Sequence, residues 1–263
     1  WIVSSGFFFF RPRVTAAGFS FFRSVFPEKG AWAVLRIVWN QFHHFATVFA
    51  DRVRLALERP YRCEVVGLEA FQAHREQGGG GVFLMSHFGN WEIAARLFSR
   101  RGVPLMLHLG VKQDEQIEKK QKHDLTRDGV RVAAASTGAG GSPFDLLESV
   151  RVLRNGGFVS IAGDRIQRED QRQVEAVFFG RTVQVPLAPH LLAQKAGVPI
   201  FPLFTVRVKR MDYRIFLNDP WTVPRDRDGD REAPLRASVE RYLARLEEMV
   251  RNHPEHWYRF APS

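Results

Sequence analysis

The chain has 263 residues, 45% of them hydrophobic and 25% charged, a balance that excludes a disordered polymer and leaves enough apolar material for one α/β domain or two small ones. Lys and Arg total 38 against 28 Asp and Glu, a formal charge of +10, which favours polyanionic partners: nucleic acid, anionic lipid headgroups or phosphorylated substrates. The single cysteine, Cys63, excludes an intrachain disulfide; with no Cys or His cluster around it, it reads as a packing residue.

The chain opens on Trp1-Ile2-Val3, then Ser4-Ser5-Gly6 and Phe7 to Phe10, and reads as the end of a hydrophobic element whose beginning is missing. No basic leader or small-residue cleavage site of a signal peptide precedes the apolar run. Residues 1–60 read as a helical region, with Leu35, Val38, Phe42, Phe45 and Phe49 recurring at steps of three and four as a core stripe. Phe7 to Phe10, Phe19, Phe21, Phe22 and Phe26 are interleaved with Arg11, Arg13 and Arg23. That mixture suits a bilayer interface, rings in the acyl boundary and guanidiniums on phosphates; it also suits a helical cap over the core. No run reaches the roughly 20 apolar residues of a membrane span.

From residue 62 strands and helices alternate. Val82 to Met85 predicts a buried strand after four glycines, followed by a helix over 90–101, a strand over 105–109, a polar helix over 113–126 and a strand over 131–135. Ser142-Pro143-Phe144-Asp145 carries the signals of a helix start, and Gly156-Gly157 stops that helix. Strands follow over 158–162, 176–179, 200–208 and 214–217, with a helix over 186–196 among them. Residues 222–234 read as an exposed loop. The last helix is long and amphipathic, with Leu235, Val239, Tyr242, Leu246 and Val250 on one side. This alternation predicts a mixed, mostly parallel sheet flanked by helices, an α/β domain over 61–263 behind an N-terminal helical, membrane-docking region over 1–60. In such sheets chemistry sits beyond the carboxyl ends of strands. Two predicted strand ends carry ionisable groups, His87 and Asp164.

His87 and Glu92 form a base-plus-orienter pair on the sequence: the imidazole on a strand-to-helix turn, the carboxylate in the first helical turn. A carboxylate on one imidazole nitrogen fixes its tautomer and leaves the other to take a proton from a substrate hydroxyl. On the spacing alone a satisfied structural histidine is the stronger reading. Asp164 reads as a second carboxylate for His87, an anchor for a cation such as Arg165, or a helix cap. Gly138-Ala139-Gly140-Gly141 fails the dinucleotide fingerprint, since the third glycine would fall at Pro143. His108 and His123 lack partners at metal spacing, and there is no G-x-S-x-G nucleophile elbow.

Met85-Ser86-His87-Phe88-Gly89-Asn90-Trp91-Glu92 resembles the signature of the lysophospholipid acyltransferase superfamily, and within it the bacterial lipid A biosynthesis (late, or secondary) acyltransferases, for which Asn-Trp-Glu is typical. Gly163-Asp164-Arg165, Val177 to Arg181, Pro186-Leu187-Ala188, Ala196 to Pro202 and His253 to Tyr258 resemble that family's later blocks, in order, so the likeness covers roughly 20–260. The family commonly has Gln where this chain has Arg165, and its closing motif continues through Trp-His-Arg-Arg where this chain has Tyr258 to Ala261. The resemblance implies transfer of a fatty acyl chain from an acyl thioester, on acyl carrier protein or coenzyme A, to a hydroxyl of a membrane glycolipid such as a lipid A precursor. It implies His87 and Glu92 as catalytic residues, Asp164 and Asn90 as their support, Arg127 as a phosphate-binding, substrate-holding guanidinium or else a surface charge, and no metal or redox cofactor; Arg165, where the chain departs from the family, reads as a further substrate-binding cation. It further implies an anionic membrane surface and acyl carrier protein as partners, with no nucleic acid. The place of work would be the cytoplasmic face of the bacterial inner membrane, held peripherally or by a segment preceding Trp1. A same-fold enzyme for a mannosylated phospholipid or a polyene, and a non-catalytic basic membrane-binding protein, are the alternatives.

Overall fold

The computed structural model describes residues 2–109, 125–127, 129–134, 143–166, 171–225, 230 and 232–258. The helical start is three helices: α1 (Ile2–Phe10), α2 (Pro12–Val25) and α3 (Ala31–Ala56). Pro12 opens α2, where a missing N–H costs no helical bond. The core face of α3 carries Val34, Val38, Phe42, Val48 and Leu55. Val38 and Phe42 of the expected stripe are thus buried, whereas Leu35, Phe45 and Phe49 are half-buried along its margin.

The remaining elements alternate: β1 (Arg62–Val66), α4 (Leu68–Glu76), β2 (Gly81–Met85), α5 (Trp91–Arg100), β3 (Leu105–Leu109), β4 (Arg131–Ala134), α6 (Pro143–Arg154), β5 (Phe158–Ala162), β6 (Gln173–Phe178), β7 (Arg181–Pro186), α7 (Ala188–Ala196), β8 (Ile200–Lys209), β9 (Asp212–Leu217) and α8 (Ala233–Asn252), then a single 3₁₀ turn at Pro254–His256. Seven strands form one sheet in the order β1-β9-β8-β2-β5-β3-β4, and β6 pairs with β7 in a separate hairpin. All neighbours in the large sheet run parallel except β8 and β9. The expected mostly parallel sheet flanked by helices is therefore present. The expected helix over 113–126 falls largely outside the described residues, as do Ser142 and the glycine loop at 138–141.

β2 is central and buried along its whole length. Its side chains alternate by strand geometry. Val82 and Leu84 join the core under α2, α3 and α8, while Phe83 and Met85 join the core under α4 and α5. On that second face Phe71, Phe83, Phe98, Phe158 and Phe201 stack and tilt against one another with centroids 4.8 to 6.2 Å apart. A strand held on both faces and both edges is a rigid mount for whatever follows its carboxyl end.

The N-terminal phenylalanines divide. Phe22 and Phe26 are buried in the main core, Phe21 packs on Phe178 and Phe179, and Phe8 on Phe42. Phe7, Phe9 and Phe10 project outward, the last two 72% and 86% exposed. No helix among the described residues is long and apolar enough to cross a membrane.

Candidate active site

Two adjacent parallel strands build the site. β2 and β5 pair in register up to Met85 opposite Ala162. Continued by two residues on each strand, the same register sets His87 opposite Asp164. The side chains meet there: His87 Nδ1 lies 3.0 Å from both Asp164 carboxylate oxygens, and the His87 backbone N–H donates to Oδ2 at 3.1 Å. Asp164 is buried, and the His87 side chain is 37% exposed. Burial alone would raise the Asp164 carboxyl, but the adjacent imidazole, its ring and backbone hydrogen bonds and Arg165 outweigh it and hold the group below its ordinary value. An ionised carboxylate only accepts, so the proton facing it belongs to Nδ1. Nε2 is left as the basic nitrogen, with no partner among the described residues.

The turn after β2 is shaped by close approaches. Gly89 has φ of 64° and lies on Thr205, where a Cβ would stand 1.6 Å from the carbonyl oxygen; only glycine fits. The Met85 carbonyl accepts from Gly163 N–H at 2.8 Å and from the Tyr242 hydroxyl at 2.8 Å, tying β2, the β5 end and α8 together one residue before the turn. The 3₁₀ segment closes the other side. Gly89 N–H donates to the His256 carbonyl and Tyr258 N–H to the His87 carbonyl, both at 2.8 Å. Arg165 Nη2 donates to the Tyr258 carbonyl at 3.0 Å, and Gln41 of α3 donates to the Trp257 carbonyl.

Glu92 is buried in the first turn of α5, but its carboxylate faces arginines. Oε1 accepts from Arg96 Nε and Nη2 at 3.0 and 2.9 Å, and Oε2 lies 3.3 Å from Arg52 Nε. Asn90 is buried at the head of that helix, beside Tyr213. Nearby, Asp51 of α3 accepts from Tyr213 Oη and Arg207 Nε at 2.7 Å and from Arg54 at 2.8 Å. Arg127 lies 3.8 Å from Glu58, both largely exposed. Of the residues singled out from sequence, the structure thus joins His87, Asp164 and, through Tyr258, Arg165. It sets Glu92 one helical turn on with its own cations and leaves Arg127 in a surface pair. The sequence held no distinct signal for Arg52, Asp51, Gln41 or Tyr242, which read as ordinary helix faces.

Other candidate sites resolve locally. His253, Glu255 and His256 bring ligating atoms within 4.8 Å of one another. His256 Nε2, however, accepts the Arg207 N–H at 3.0 Å, which leaves the proton on Nδ1, 3.1 Å from Glu255; the nitrogen that would bind a metal is thus taken by the backbone. His108 Nε2 meets Ser149 Oγ at 2.7 Å, and His123 lies outside the described residues. Burial pushes the Cys63 thiol up to about 12, so it stays protonated. A cavity of about 840 Å³ lies at the opposite, amino end of the sheet, beside Leu105, Arg131, Arg151 and Gly157, away from His87.

The chain has no match among curated proteins. The pattern of the bacterial lipid A biosynthesis acyltransferase family matches residues 22–262. That span contains the His87 turn, the Asp164 strand end and the closing segment at 253–258. An imidazole oriented by a buried carboxylate at the end of two parallel strands is suited to deprotonating an alcohol. The family match implies a transferase acting on acyl groups: the chain belongs to the bacterial lipid A biosynthesis acyltransferases.

Proposed function

We propose that the protein transfers a fatty acyl chain from an acyl thioester, on acyl carrier protein or coenzyme A, to a hydroxyl of a membrane glycolipid, a lipid A precursor being the acceptor that the family favours. The observation that carries this reading is the His87–Asp164 pair. His87 Nε2 takes the proton of the acceptor hydroxyl as its oxygen attacks the thioester carbonyl. The tetrahedral intermediate collapses, the carbon–sulfur bond breaks, and the imidazolium returns the proton to the leaving thiolate. Asp164 holds the tautomer and stabilises the imidazolium, the task sequence reading assigned to Glu92. Glu92 instead holds Arg96 and Arg52 in place beside the turn.

Arg165, fixed through the Tyr258 carbonyl next to His87, is suited to bind substrate oxygens. The exposed Phe7, Phe9 and Phe10, with Arg11 following them, are suited to an anionic bilayer surface. Work at the inner membrane fits this docking, because the acceptor lipid stays in its bilayer. Mass spectrometry of lipid A from bacteria with and without the gene, paired with transfer from acyl carrier protein thioester in vitro, tests the reading. The expected result is one missing acyl chain. Unchanged lipid A, with no transfer in vitro to a lipid A precursor, would overturn it.

A further inference from the structure

Phe45, Phe49 and Arg52 follow one another along α3 at steps of four and three, which sets them on one face. Phe45 packs edge-on to Phe49, centroids 4.9 Å apart, and to Tyr258 at 5.2 Å. Tyr258 in turn holds the His87 carbonyl. Two half-buried rings and a guanidinium therefore pass beside the backbone of the catalytic turn.

Arg52 is gripped at its base. Nε lies 3.3 Å from Glu92, and Cζ stands 5.1 Å from the Phe49 ring centre. Burial works against its charge and Glu92 counters that only in part, since the same carboxylate also serves Arg96. The side chain is 24% exposed, and its terminal nitrogens have no polar partner among the described residues. A guanidinium held by the Glu92 ion pair and the Phe49 ring, with no polar partner on either Nη among the described residues, is a ready fork for two oxygens of a tetrahedral oxyanion.

We propose that Arg52 binds a phosphate group of a substrate, with Phe49 and Phe45 lying along the apolar segment next to that phosphate. The inference rests on the acyltransferase reading for the word substrate alone. The phosphate belongs either to the acceptor headgroup or to the phosphate-bearing arm of the donor, and binding separates the two.

The whole chain is titrated calorimetrically with soluble dihexanoyl phosphatidic acid, with dihexanoylglycerol, and with coenzyme A. Wild type is expected to prefer the phosphatidic acid over the uncharged lipid, or to bind coenzyme A, by about ten- to a hundredfold relative to Arg52→Gln, the range of a charge-assisted hydrogen bond. Arg36→Gln, which removes the same charge from the exposed side of α3, is expected to change neither. Loss confined to phosphatidic acid assigns the phosphate to the acceptor, and loss confined to coenzyme A assigns it to the donor. Arg52→Lys keeps the charge without the fork and serves where Arg52→Gln does not fold, with a several-fold loss expected. Affinities equal to wild type in the folded Arg52 variant, or an equal loss in Arg36→Gln, overturn the proposal. No turnover enters this measurement, so it can stand while the acyl-transfer assay fails, and the reverse.

Discussion

His87 and Asp164 are 77 residues apart in the chain and share a hydrogen-bonded pair, Nδ1 standing 3.0 Å from each carboxylate oxygen. The parallel register of β2 and β5 brings them together, because each lies two residues beyond the last matched pair, Met85 and Ala162.

His87→Ala is expected to lower acyl transfer by about 100- to 10,000-fold, the usual worth of a general base. The substitution also leaves the buried Asp164 with only the residue-87 amide and Arg165 to offset its burial, so some loss of stability is expected and turnover is compared where the variant is folded. Normal turnover by the folded variant would remove His87 from the mechanism.

Asp164→Asn and Glu92→Gln should fail differently. Asn at 164 can donate to Nδ1 and so favour the wrong tautomer, and kcat is expected to fall by about 1,000-fold or more. Gln at 92 removes the buried carboxylate that Arg96 and Arg52 share, with an expected loss of up to about 3–5 kcal/mol of stability. Denaturant unfolding and steady-state kinetics on both variants separate the roles. Equal kinetic defects without destabilisation of Glu92→Gln would return Glu92 to the chemistry.

Acid should weaken the fold well before carboxylates titrate. Burial lowers His190 to about 3, and burial followed by the neighbouring His256 lowers His44 to about 4. Both are neutral in the native state, so their contribution is complete above 6.5 and is lost as pH falls, when the unfolded chain takes up protons that the folded chain refuses. His190 alone should give a slope of about 1.4 kcal/mol per pH unit below 6.5. His44 adds a smaller share, being partly solvated. Asp164, held low, adds its own loss only below about 3.8. Urea midpoints from pH 7 to 5 check this, and His190→Phe should flatten the slope. An unchanged slope in that variant would contradict the assignment.

Tyr242→Phe removes one of the two donors on the Met85 carbonyl. The expected cost is about 1 kcal/mol, with the dyad still formed because the Gly163 amide remains. A chemical denaturation curve measures it, and a loss above about 3 kcal/mol would mean that the hydroxyl anchors more than this carbonyl.

The N-terminal phenylalanines should sort by exposure. Phe9→Ser with Phe10→Ser is expected to weaken binding to anionic vesicles, by up to about 1.5–3 kcal/mol per ring if each is fully withdrawn from water, and to leave the melting temperature near wild type. Phe22→Ser should instead destabilise the fold by at least the about 3–5 kcal/mol of a buried Phe→Ala change. Vesicle co-flotation and thermal melts on both variants test this. Vesicle binding indifferent to Phe9 and Phe10 would exclude them from the docking surface.

Local pattern determined much of this protein. The alternation of short apolar runs with amphipathic stretches is a property of neighbouring residues, and it sufficed for the mostly parallel sheet, for most element boundaries to within a few residues, and for the two strand ends that carry His87 and Asp164. The block from Met85 to Glu92 pointed to the family because its residues are contiguous. What contiguity cannot express is which groups touch across the fold. Glu92 is near His87 in sequence, yet the helix directs it to Arg96 and Arg52. Asp164 is far away, yet strand register delivers it to Nδ1. Phe10 and Phe22 belong to one aromatic-rich stretch, yet the second is buried in the main core, against Phe21 and Phe26, and the first is left in water. Hydrogen bonds and burial are decided by three-dimensional neighbours, so partner choice among similar residues was settled only by the tertiary structure.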